Sequence, residues 1–170
     1  VDVFFVISGY LITTIIISEM AEGKFSIVNF YERRARRILP ALFFMMLLCI
    51  PPAYFYMLPD PLENFGQSLV STSLFSNNIL LLMTSGYWDL ASEYKPLLHT
   101  WSLAVEEQYY IIFPILMLSL WKFGRNAIFI CFISIIIISL YFAQVESDRD
   151  VAFYSLHTRA FELLLGALMC

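Results

Sequence analysis

Asn126–Val145, NAIFICFISIIIISLYFAQV, is a run of twenty residues without a charge. A helix rises about 1.5 Å per residue, so such a run measures roughly 30 Å, the thickness of a bilayer's hydrocarbon. Its Ile and Phe content marks it as a membrane span. Working outward, Val3–Ser18 is uncharged but short, and Ile38–Leu58 is uncharged and long enough. Pro96–Trp121 is long enough too, but holds Glu106 and Glu107 in its middle. A further span begins near Arg159 and is cut off at Cys170. Composition agrees: 60% of the 170 residues are hydrophobic, 14% are charged and the mean hydropathy is +0.75. Soluble domains sit near a quarter charged. These values exclude a soluble domain, a disordered chain, a nucleic-acid binder and a secreted disulfide scaffold. The expected fold is all-α and integral to the membrane, a polytopic helix bundle forming one domain over residues 1–170. It comprises about four complete spans, a re-entrant or interfacial segment and one truncated helix.

The re-entrant segment follows from charge. Asn64–Trp88 carries none, yet eleven of its residues are Ser, Thr, Asn or Gln, so hydropathy leaves it ambiguous. Cytoplasmic flanks of spans collect Lys and Arg. Lys24, Arg33, Arg34, Arg36 and Arg37 therefore assign residues 19–37 to the cytoplasm, and Lys122 with Arg125 assign residues 122–125 there as well. The acidic connections, within residues 59–98 and 146–158, then face outward. These assignments alternate only if Asn64–Trp88 does not complete a crossing. It is expected on the outer side, buried against protein that satisfies its polar groups. Pro51-Pro52 and Pro114 each remove a helical hydrogen bond and are expected to kink or end their helices.

Two stretches carry candidate chemistry. The first is FYERRARRILP, Phe30–Pro40, at the cytoplasmic mouth of a span. Arg33 and Arg37 stand at i, i+4, while Arg33/Arg36 and Arg34/Arg37 stand at i, i+3, so a helix puts more than one guanidinium on a face. Adjacent planar, permanently charged forks suit a phosphate or pyrophosphate. The alternative is a topology anchor in the loop that touches anionic head groups. The second is PLLHTWSLAVEEQYY, Pro96–Tyr110. At about 100° per residue, His99, Ser102, Glu106, Tyr109 and Phe113 share one face, with Glu107 turned away toward the interface. An ionisable residue in a span costs roughly 2.5–3.5 kcal/mol on insertion scales, so Glu106 should face the bundle interior with a partner. It is either a functional group or a hydrogen-bond hub. His99 stands at the membrane edge beside Trp101, which an interfacial aromatic belt also explains. His157, Arg159 and Glu162 read as a loop turn and a helix-start pair. Cys49, Cys131 and Cys170 lie in apolar runs and read as buried side chains. No metal-ligand spacing, glycine-rich phosphate loop or GxSxG elbow is present.

Taken together, four blocks resemble the membrane acyltransferase family 3. They are VDVFFVISGYLI at Val1–Ile12, NFYERR with RRILP across Asn29–Pro40, HTWSL with EEQYY across His99–Tyr110, and TRAFELLLGA at Thr158–Ala167. The likeness covers essentially the whole chain and is greatest to bacterial O-acetyltransferases of cell-surface polysaccharides, some of which carry a periplasmic SGNH domain after the membrane part. It implies transfer of an acyl group, usually acetyl, from acyl-CoA on the cytoplasmic side to a sugar hydroxyl on the outer side. Acyl-CoA is then a donor substrate and no bound cofactor or metal is implied. The partners are the lipid bilayer of the bacterial inner membrane, acyl-CoA and a glycan acceptor such as O-antigen or exopolysaccharide.

The family's Arg-x-x-Arg pattern falls on Arg34 and Arg37, implying contact with the donor's phosphates. Glu106 takes the family's acidic position, orienting a base or positioning the acceptor. His99, Trp101 and Ser102 are further candidates in the same block. The family's catalytic histidine lies in a helix that would precede Val1, and neither His99 nor His157 takes its place. The chain is therefore expected to be a fragment, inactive alone. The rival reading is a transporter or flippase component of surface-glycan export, with Glu106, kinked helices and the re-entrant segment lining a path. Such a protein needs neither phosphate-binding Arg nor the histidine.

Overall fold

The computed structural model describes residues 1–84 and 95–170. Among them every regular element is helical: α1 (Asp2–Ala21), α2 (Ile27–Tyr56), α3 (Pro59–Ser73), α4 (Asn77–Met83), α5 (Thr100–Trp121), α6 (Arg125–Val145), α7 (Arg149–Tyr154) and α8 (Leu156–Leu168). α1, α2, α5 and α6 are long and apolar enough to cross a membrane. They are the four spans expected from sequence, and the protein is a polytopic helix bundle. Large apolar side chains such as Phe43, Leu47, Ile130 and Ile137 stand exposed along these helices, as lipid-facing residues should. Cys49 and Cys131 are only half-buried and Cys170 is exposed, so the cysteines are not the buried side chains expected. In lipid an outward-facing thiol loses no hydrophobic contact.

Helix ends follow local chemistry. Gly23, at φ 68°, ends α1: its N–H donates to the Met20 carbonyl and that of Lys24 to the Glu19 carbonyl, 3.1 and 2.9 Å. This reciprocal pairing satisfies the last carbonyls and needs a left-handed residue. Gly124, at φ 84°, serves the turn between α5 and α6. The basic segment expected as a loop is therefore helical outside residues 22–26, and the four arginines ride on α2 itself. α2 also runs through Pro51 and Pro52 to Tyr56, and α5 runs through Pro114. The prolines do not end their helices. A proline removes one donor, and in a span the helical form still satisfies more backbone than any alternative does.

The described residues form two compact units, Ser26–Ala104 and Val1–Phe25 with Val105–Cys170. In the first, Leu42, Met46 and Ala53 on one face of α2 join Phe65 and Leu97 in an apolar cluster. α3 and α4 are 15 and 7 residues long, broken at residues 74–76 where Phe75 takes φ 51°. Neither reaches the roughly 20 residues of a crossing. Residues 85–88 of the expected re-entrant segment lie outside the described residues. What ties this segment down is a buried polar knot. The Asn77 side-chain amide donates to the Leu97 carbonyl and to Thr100 Oγ1, 3.0 and 2.8 Å, while the Thr72 and Thr100 hydroxyls meet at 3.1 Å. Thr100→Val would leave Asn77 and Thr72 short of partners. It is expected to cost about 1–3 kcal/mol, read as a lowered melting temperature in detergent.

In the second unit helix directions can be read from contacts. α1 and α8 run parallel, since Asp2 meets Arg159, Gly9 meets Leu163 and Thr14 meets Cys170. α6 runs against α8, with Ser139 near its end bonded to the His157 carbonyl near the start of α8 at 2.7 Å. α5 and α6 form an antiparallel hairpin, with Phe113 against Phe132 at 5.6 Å. α1, α5 and α8 therefore begin on the same side.

Candidate active site

Glu106 lies six residues into α5 and Ser8 six residues into α1, roughly 9 Å along each helix from the shared side. Ser8 Oγ donates to Glu106 Oε1 at 3.2 Å, and the Tyr110 hydroxyl donates to Oε2 at 3.1 Å. The carboxylate is half-buried in an otherwise apolar helix and each of its oxygens meets a hydroxyl. Two donors on a carboxylate fix its plane. A group so held can orient an imidazole or accept a proton from a hydroxyl.

The neighbouring candidates are placed differently. His99 precedes α5 and is exposed, and its carbonyl accepts from Ser102 Oγ at 3.2 Å. Trp101 is buried and Ser102 half-buried. Tyr109 stacks on Phe113, centroids 4.8 Å apart, so that part of the expected polar stripe is aromatic core. Glu106 pairs with Tyr110 at i+4, which lies closer to it around the helix than Tyr109 does. Glu107 is buried, contrary to the interfacial position expected.

The arginines divide by face. Arg34 is half-buried, one turn after the buried Phe30. Arg33, Arg36 and Arg37 are exposed. Arg36 reaches Glu32 at 2.7 Å, and Asn29, Glu32, Arg33 and Arg36 line a shallow open depression. Arg34 and Arg37 thus share neither burial nor that depression, although both remain on adjoining turns.

Sequence reading also passed over a second polar cluster. Arg159, read as part of a helix start, sends Nη1 to Glu162 Oε1 and to Asp2 Oδ1, both at 2.8 Å, and Nε to the Phe153 carbonyl at 3.3 Å. Its guanidinium lies 4.9 Å from the centre of the Phe153 ring. The i, i+3 spacing of Arg159 and Glu162 was visible, but the link to Asp2, 157 positions away, was not. Among the described residues no cluster of His, Cys, Asp and Glu could hold a metal ion.

Comparison with known proteins bears on this geometry. The chain is 36% identical to an uncharacterized protein of Haemophilus influenzae, over 99% of this chain and 72% of the relative. It is 32% identical to the peptidoglycan O-acetyltransferase OatA of Listeria monocytogenes, over 99% of this chain and 28% of that protein. A putative O-acetyltransferase of Staphylococcus aureus is 31% identical, with 29% of its length covered. The chain thus spans less than a third of these two named relatives. No solved structure matches it. Residues 1–170, its full length, match the family described as acyltransferase domain, and the chain belongs to that acyltransferase family.

Proposed function

We propose that the intact protein is a membrane O-acyltransferase that moves an acyl group, acetyl in the simplest case, from acyl-CoA to a hydroxyl of a cell-surface glycan. The observation that carries this reading is the Glu106 carboxylate held by Ser8 and Tyr110 inside an apolar span, in a chain of the acyltransferase family. The named O-acetyltransferase relatives support acetyl as the group moved, and the Listeria relative's name supports a glycan of the cell envelope as acceptor.

In the reaction the acceptor's oxygen attacks the thioester carbonyl, a C–O bond forms, the C–S bond breaks and the hydroxyl proton passes to a base. CoA leaves as the thiol. The base is the family's histidine, which neither His99 nor His157 replaces, and Glu106 orients it. Arg34 and Arg37 hold the donor's phosphates at the cytoplasmic mouth of α2. Residues 19–37 and 122–125 then lie in the cytoplasm and residues 59–98 and 146–158 on the outer side of the bacterial inner membrane. The positive-inside pattern and the shared starting side of α1, α5 and α8 both support this orientation.

The experiment is transfer of labelled acetyl from acetyl-CoA to surface glycan in membranes that carry the full-length protein. Arg34→Ala should raise the apparent KM for acetyl-CoA about tenfold, the loss of one charge-assisted phosphate contact. Arg36→Ala, whose guanidinium is engaged by Glu32, should move it less than twofold. Equal effects from the two would sink the assignment of Arg34. Altered glycan export without any transfer from acyl-CoA would point instead to a transporter.

A further inference from the structure

We draw no further inference here: the strongest candidate, the apolar cavity of about 420 Å³ between the ends of α1, α5 and α8 and the start of α6, is lined in part by Cys170 at the end of the chain, and nothing in the structure shows what covers it.

Discussion

Replacing Gly166 with alanine is expected to destabilise the protein by about 3 kcal/mol or more, at the upper end of overpacking effects. A methyl group there would overlap the Val6 carbonyl and crowd the Tyr10 amide of α1. The obstacle is backbone, which cannot rotate away as a side chain could. Gly9 has the reciprocal relation to the Leu163 carbonyl, so Gly9→Ala should do comparable damage. Once either methyl group has pushed α1 from α8, the second costs little. The double variant should therefore lose much less than the sum of the singles. Gly66→Ala is the control: nothing lies within 4 Å of its added carbon, and in the interior of α3 alanine should be neutral or stabilising by up to about 1 kcal/mol. Thermal unfolding of the full-length protein in detergent reads all four, and a Gly166→Ala variant that melts with wild type would refute the close α1–α8 approach.

Glu106→Ala is expected to lower acyl transfer about a hundredfold, within the range by which positioned acid–base groups act. The loss of transfer should far exceed any loss of folded protein, read by melting temperature and by the amount recovered from membranes. A structural hub predicts instead that activity is scaled only to the surviving protein. Ser8→Ala and Tyr110→Phe each remove one of the two donors and should each cost about three- to tenfold in kcat. Full transfer by Glu106→Ala would remove this carboxylate from the mechanism.

The spans were legible because lipid imposes a length and a composition on any segment that crosses it. Asn126–Val145 needs no partner to be recognised, and its observed bounds differ by one residue. The basic segment was legible as a pattern, and the left-handed Gly23 explains why α2 begins at Ile27, well before the uncharged run at Ile38. Partners were the hardest to see. Nothing local in Ser8 announces Glu106, 98 positions on, and Thr100 sits unremarkably between His99 and Trp101 while its hydroxyl joins a buried network. Side chains on one helix follow from 100° steps, whereas pairing between helices depends on which faces close packing brings together. Gly9 and Gly166, the residues that permit that packing, mark it only by having no side chain.

The pairing of α1 with α8 also sets an order of events at the membrane. Asp2 and its partner Arg159 are 157 positions apart, and translation proceeds at about 5–20 residues per second. α1 therefore waits roughly 8–30 s in the bilayer before the helix that fits its glycine face has been made. During that interval the groove at Gly9 is open to any helix with a small residue to offer, and Asp2 has no guanidinium to neutralise it. α2 through α6 must be able to stand beside α1 without capturing that face. The α1–α8 seam thus closes only once α2 through α6 have been made, and a substitution that seals it poorly meets the cell's quality-control proteases after those helices are already in place.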